Sequence, residues 1–174
     1  MYPAALSELP PTDPETGGLN VVIETPQGSR NKYKYDEKRG LFKLGKVLPM
    51  GMAFPFDFGF LPNTVGGDGD PLDVLVLSDS PAFPGCLVES RLLGVLEAEQ
   101  THEGRTNRND RLLAVAAESH DYALARTLED LPPDLPDRIE HFFVSYLAAE
   151  GKAVRFLGRG GPDRARQIIE GNIS

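Results

Sequence analysis

Hydrophobic and polar positions alternate with a strand-like period through most of the chain and with a helical period only near its end. The segments Leu19–Glu24, Asn31–Asp36, Leu41–Leu44, Asp73–Leu77, Leu87–Glu97 and Arg111–Ala117 are rich in β-branched and aromatic residues and predict strands. Gly and Pro clusters at Pro26–Gly28, Gly66–Gly69 and Pro81–Gly85 separate them. In Pro136–Ala149, Ile139, Phe142, Phe143, Tyr146 and Leu147 follow one another at i, i+3, i+4, i+7 and i+8, a single apolar stripe. Gly151 is placed to end that helix, because glycine takes the left-handed conformation cheaply. A strand over Ala153–Leu157 follows. A second helix then starts at Pro162, with Ala165, Ile168 and Ile169 inward and Gly171 as its stop. Residues 1–18, with four prolines and little periodicity, read as an extended or mobile lead-in to one domain over 19–174. Strands first and helices last predict an α+β fold, and a small barrel is favoured over a flat sheet because closure removes exposed edges.

Composition narrows the class. With 174 residues and 40% hydrophobic content the chain can bury a core, and no apolar run approaches membrane-spanning length. Eighteen Lys and Arg against 26 Asp and Glu give a net charge of −8, which argues against nucleic acid as a general partner. The single cysteine, Cys86, cannot form an internal disulfide and reads as a small buried apolar residue. No basic-then-apolar signal opens the sequence, so the cytoplasm is the expected compartment.

Charge is unevenly spread. A basic segment runs from Arg30 to Lys46, and no Lys or Arg follows until Arg91. Within that gap, Asp68-Gly69-Asp70-Pro71-Leu72-Asp73 packs three carboxylates into six residues ahead of an apolar strand. Two carboxylates about 5 Å apart repel by roughly 3 kcal/mol at an effective dielectric of 20, so a fold that gathers them needs a counter-charge. Oxygen donors without His or thiolate point to Mg²⁺ or Mn²⁺, while a solvated acidic turn is the plainer alternative. On an extended strand Arg30, Lys32 and Lys34 share one face and Tyr33 and Tyr35 the other. That pattern suits either a phosphate ligand or a solvent face over a tyrosine-packed core. In Met50–Phe60 every even position is large, which predicts one core-facing side. Asp57 interrupts that run, either at a bend open to solvent or as part of the acidic site.

Taken together, these pieces resemble the soluble family I inorganic pyrophosphatases. The resemblance runs from about Val21 to Leu157 and includes Val21-Val22-Ile23-Glu24, Lys32-Tyr33, Phe54-Pro55, Phe58-Gly59-Phe60, Gly94-Val95-Leu96 and His141-Phe142-Phe143 with Tyr146. Its strongest part is Asp68–Asp73, which matches the family signature D-[SGDN]-D-[PE]-[LIVMF]-D. The resemblance implies a closed OB-like five-stranded barrel flanked by two C-terminal helices. It also implies a homohexamer and Mg²⁺-dependent hydrolysis of pyrophosphate, with Mn²⁺ as a substitute ion. By the same resemblance Asp70 is the catalytic proton acceptor, and Asp68, Asp73, Asn109 and the outer acid Glu24 lie on the metal side. Lys32, Lys46, Arg111 and Tyr146 lie on the phosphate side, and His141 is structural.

The resemblance is broken in places. Lys34 stands where the family usually has a glutamate, and Gln100 and Asn109 where it has metal-binding aspartates, with Glu99 and Asp110 as neighbouring substitutes. Phe54 and Phe58 replace tyrosines, and Leu147 replaces a lysine. Fewer acids imply a smaller metal count, a changed metal preference or lower activity. A relative acting on another phosphoanhydride, or a non-catalytic OB-like binding module, stands as the alternative reading.

Overall fold

The computed structural model describes residues 6–174. Five strands close into a ring. β1 (Leu19–Thr25) pairs antiparallel with β4 (Asp57–Phe60), and β4 with β5 (Asp73–Leu77). β5 runs parallel to β8 (Arg111–Ala116), which lies antiparallel to β6 (Leu87–His102). β6 returns to β1 through Leu19↔Ser90 to Val22↔Leu87 and completes the OB-like barrel. At 16 residues β6 outruns the ring, and its far end carries β7 (Arg105–Arg108) and β9 (Ala153–Gly160). The hairpin of β2 (Asn31–Asp36) and β3 (Leu41–Val47) forms a separate two-stranded sheet.

Period-two side chains sort the core into two bodies. Val74 and Val76 of β5 join Leu112 and Ala114 of β8 and Val21 and Ile23 of β1, beneath Ala165, Ile168 and Ile169 of α2 (Pro162–Gly171). Leu75, Leu77, Leu113 and Val115 point the other way, toward α1 (Leu135–Ala149). The predicted stripe on α1 holds, with Ile139, Phe143, Tyr146 and Leu147 buried and Phe142 half-buried. Gly59 is where β1 and β4 touch most closely, since a Cβ there would sit 2.2 Å from the Val22 carbonyl oxygen.

Several expectations need correction. The aromatic run is a buried strand, β4, only from Asp57 onward, and Met50, at the other end of the run, is 88% exposed. β7 has no periodic signal because all four of its residues are solvated. Cys86 is half-exposed rather than buried, and His141 is exposed. Residues 6–18 include a 3₁₀ turn at Leu6–Glu8 and a bridge from Thr12 to Leu19. The side-chain amides of Asn20 and Asn63 donate to the carbonyls of Pro10 and Leu9. Residues 1–5 of the lead-in lie outside the described residues.

Asp57 proves to be neither solvent-open nor part of the acidic site. It is 2% exposed, and its two oxygens accept from the backbone N–H of Gln27 at 2.8 Å and of Ala82 at 3.0 Å, tying together the loops that follow β1 and β5. Burial pushes its carboxyl above the ordinary range, against the pull of those two bonds.

Candidate active site

The acidic loop hangs between β4 and β5, and its turn is built by local bonds. Gly66 N–H donates to the Asp70 carbonyl at 2.7 Å, and Gly69, at φ +86°, donates back to Gly66 at 3.0 Å. Asp70 N–H donates to Asp68 Oδ1 at 3.0 Å. Thr64 anchors the base of the loop by accepting from Leu72 N–H and donating to the Leu61 carbonyl. Gly67 presses so closely on Arg108 that a Cβ would meet its carbonyl oxygen at 2.9 Å. Arg108 is itself ion-paired to Glu97 and Asp110, and Arg164 of α2 joins it on Glu97. A charged brace therefore backs the loop.

Register brings acid and cation together. Asp73 and Arg111 are Cα partners at the start of the parallel β5–β8 pair. Lys32 and Lys46 are Cα partners across the β2–β3 hairpin. That hairpin is joined to the barrel by Glu24, whose Oε2 accepts from Tyr35 N–H at 2.8 Å, and by Thr25, whose hydroxyl takes Tyr33 N–H at 3.0 Å. The ladder shifts register between Lys32 and Tyr33, where Gly45 of β3 is the extra residue. Lys32 and Lys34 serve different places: Lys32 Nζ lies 5.3 Å above the Tyr146 ring, and Lys34 Nζ reaches Asp70 Oδ2 at 3.3 Å.

These groups feel one another. Burial raises the Glu24 carboxyl to about 7 and that of Asp73 to about 6. The Asp73 charge adds to the rise at Glu24, and Asp68 and Asp70 add to it at Asp73, while Arg111 and Lys32 hold Asp73 back. Burial also lowers Lys32 and Arg111 against the pull of Asp73. Crowded, partly dry carboxylates with oxygen as their only donor atom are chemically suited to a hard divalent cation, which would favour their ionised forms. Among the described residues, no three His, Cys, Asp or Glu side chains converge tightly enough to ring an ion by themselves.

Arg111 is 3% exposed and stacks 4.4 Å over the Phe143 ring. It donates to the Asn109 carbonyl at 2.8 Å and to Gln100 Oε1 at 3.3 Å, and its Nε is buried without a hydrogen-bond partner. Asn109 Nδ2 donates to the same Gln100 oxygen at 3.0 Å. The Gln100 and Asn109 amides are thus bonded to each other and to the buried cation. Glu99 and Asp110 do not replace them: Glu99 is ion-paired with Arg155, while Asp110 is held by Arg108 and by Ala98 N–H. Phe54 and Phe58 sit in one aromatic cluster with Phe142, Phe143 and Tyr146, where they pack rather than donate.

Lys46 and Tyr146 meet a residue that the sequence reading missed. Glu150, just past the end of α1, lies 3.0 Å from Lys46 Nζ and 3.6 Å from Lys152 Nζ. Its signal was available, because four residues after Tyr146 places it on the same helical face. The Tyr146 hydroxyl is buried without a hydrogen-bond partner. Burial, and then the Glu150 carboxylate, push its pKa far above the ordinary phenol value.

The inorganic pyrophosphatase family profile matches residues 21–174. The inorganic pyrophosphatase of Thermus thermophilus is 41% identical over 168 residues, covering 96% of this chain and 94% of that protein. That of Synechocystis sp. is 38% identical over 160 residues, 92% of each chain. The crystal structure of the T. thermophilus inorganic pyrophosphatase matches this fold with a TM-score of 0.87 at 38% identity, covering 98% of this chain and 97% of that one. With the signature loop at the mouth of a closed barrel and likeness along nearly its whole length, the chain belongs to the inorganic pyrophosphatase family.

Proposed function

We propose that this protein hydrolyses inorganic pyrophosphate to two phosphates with the help of Mg²⁺ or Mn²⁺. The observation that carries the reading is the meeting of two opposite walls at one end of the barrel. The acids of the 68–73 loop stand beside Lys32 and Arg111, with Asp73 and Arg111 as strand neighbours. Pyrophosphate needs both walls, one for hard cations and one for its own negative oxygens.

Asp68, Asp73, Glu24 and the amide oxygen of Asn109 would hold the ions. A bound ion supplies charge neutralisation and makes a water more acidic. Asp70, whose Oδ2 lies 3.3 Å from Lys34 Nζ, accepts the proton of the attacking water. As the water oxygen bonds to one phosphorus, the bridging P–O bond breaks and its electrons leave on the second phosphate. Lys32, Lys46, Arg111 and Tyr146 receive that growing charge, and burial of Arg111 and Tyr146 strengthens their contacts by excluding water. The departures at Lys34, Gln100 and Asn109 favour one second reading, a relative that acts on another phosphoanhydride.

Phosphate release from pyrophosphate and from ATP, with and without Mg²⁺, Mn²⁺ and EDTA, tests both. Release from pyrophosphate alone, abolished by EDTA, is expected. Comparable release from ATP supports the second reading, and no release under any condition leaves a binding module.

A cytoplasmic homohexamer belongs to the same proposal. Leu41, Leu44, Val47, Met50 and Phe83 are exposed apolar surface that neighbouring copies would cover. Among the described residues no helix is long and apolar enough to cross a membrane. A solution mass of 19.0 kDa by light scattering would refute the assembly.

A further inference from the structure

Among the described residues, Glu150 is a largely buried acid beside the phosphate-side residues with no part in the proposed hydrolysis. Its backbone is fixed by the end of α1: Glu150 N–H donates to Leu147 at 3.0 Å, Gly151 to Ala148 at 3.0 Å and Lys152 to Leu147 at 2.9 Å, with Gly151 at φ +75°. The side chain is 11% exposed, with both oxygens buried and Oε2 3.0 Å from Lys46 Nζ. Together with Lys46, Leu48, Pro49 and Tyr146 it lines a cavity of about 400 Å³. Lys152 lies 3.6 Å away, and Lys32 is near enough for its charge to be felt. Burial opposes the charge of this carboxylate, but the lysines around it outweigh burial and hold it in the ionised form. Its presence among three lysines and a phenol, all suited to an anion, works against anion binding there.

We propose that Glu150 is a positioning residue that holds Lys46 on the phosphate side and weakens the retention of inorganic phosphate, so that the liberated product leaves. The inference rests on the pyrophosphatase reading for its setting. Free phosphate has only the cation wall to hold it. On that wall one carboxylate cancels one lysine and repels the anion directly. Pyrophosphate spans to the acidic loop as well and therefore depends less on this corner. Any phosphate entering the cavity has to draw Lys46 away from Glu150, and Lys46 returns when the phosphate goes.

The test is calorimetric titration of inorganic phosphate into the intact protein, comparing wild type with Glu150→Gln and Glu150→Asp. The Gln variant keeps shape and loses charge, and it is expected to bind phosphate about tenfold more tightly, the effect of removing one like charge beside an anion site. Its KM for pyrophosphate and its Ki for phosphate as product inhibitor should fall together, with kcat reduced by slower release. Glu150→Asp keeps the charge and should restore wild-type phosphate affinity, which a merely structural role would not do. Melting curves of both variants establish that they fold. Phosphate affinity that is unchanged or weaker in Glu150→Gln, or no measurable phosphate binding by either protein, overturns the proposal. Hydrolysis of pyrophosphate by the wild type judges the underlying reading separately.

Discussion

Replacing Asp57 separates a structural carboxylate from a catalytic one. Its two oxygens take the N–H groups of Gln27 and Ala82 at 2.8 and 3.0 Å inside a nearly sealed environment. A hydrogen bond to a charged acceptor contributes about 1.5–3 kcal/mol net. The raised carboxyl pKa shows that burial opposes the ionised form, so the lower end of the summed range applies. Asp57→Ala should therefore cost about 3 kcal/mol, which for a chain of this size lowers Tm by roughly 6–12 °C. Asp57→Asn keeps one acceptor and turns an amide N–H against the second donor, and it should cost about 2 kcal/mol. The pH dependence has a definite sign. The folded carboxyl lies above its unfolded value near 3.9, so its proton-linked stability is fully present below that value and disappears as pH rises through the folded value. The stability gap between wild type and Asp57→Asn should accordingly narrow from pH 4 to pH 7, as read by urea titration at each pH. Pyrophosphate turnover at 25 °C should match wild type while the variant is folded. A stability loss under about 1 kcal/mol together with lost Mn²⁺ binding would refute the argument and return Asp57 to the acidic site.

Three further outcomes follow from the geometry. Asp70→Asn should lower turnover by about 10²- to 10⁴-fold, the usual contribution of a general base, with Mn²⁺ affinity nearly intact by electron paramagnetic resonance. Unchanged turnover would remove Asp70 from the proposed mechanism. Asn109→Asp breaks the 3.0 Å bond to Gln100 and adds a carboxylate to the wall shared with Asp68. Mn²⁺ binding should tighten, and no change would place Asn109 off the metal side. Gly59→Ala drives a Cβ to 2.2 Å from the Val22 carbonyl, backbone against backbone. It should cost about 3 kcal/mol or more, and wild-type melting would contradict the β1–β4 register.

The elements most legible in the sequence carry their own periodicity. The stripes of α1 and α2 name the face they bury, and the continuous β-branched runs of β1, β5 and β8 announce strands buried on both faces. β4 was hidden because both of its faces are buried and two of its four residues are Asp and Gly, so its pattern reads as half a strand. β7 is Arg-Thr-Asn-Arg, held only by its ladder to β6, and no local pattern announces that. The acids of the site were legible because three sit in one loop. The cation wall was legible only through the family resemblance, since Lys32, Lys46, Arg111 and Tyr146 are brought together by tertiary packing. Glu150 escaped because its importance depends on where the end of α1 meets β3.

Lys34, Gln100 and Asn109, the positions expected to depart from the family pattern, have a common electrostatic sense. Around the mouth of the barrel stand Glu24, Asp68, Asp70, Asp73 and Glu150, faced by Lys32, Lys34, Lys46, Lys152 and Arg111. Five acids meet five cations, so the formal charges balance. Gln100 secures Arg111 and Asn109 through its amide oxygen without adding charge, while Lys34 engages Asp70 with a cation of the protein's own. Such a mouth has little net field with which to gather divalent ions ahead of the substrate. Pyrophosphate brings its own three to four negative charges, so ion and anion should bind cooperatively, each raising the affinity for the other by the same factor. Mn²⁺ titration followed by electron paramagnetic resonance, with and without the non-hydrolysable analogue imidodiphosphate, measures that factor directly. About tenfold or greater tightening by the analogue is expected, one added favourable charge contact being worth about that much. Tight Mn²⁺ binding that the analogue leaves unchanged would show that the carboxylates alone command the ion, and that the balanced charges at the mouth do not govern how it is loaded.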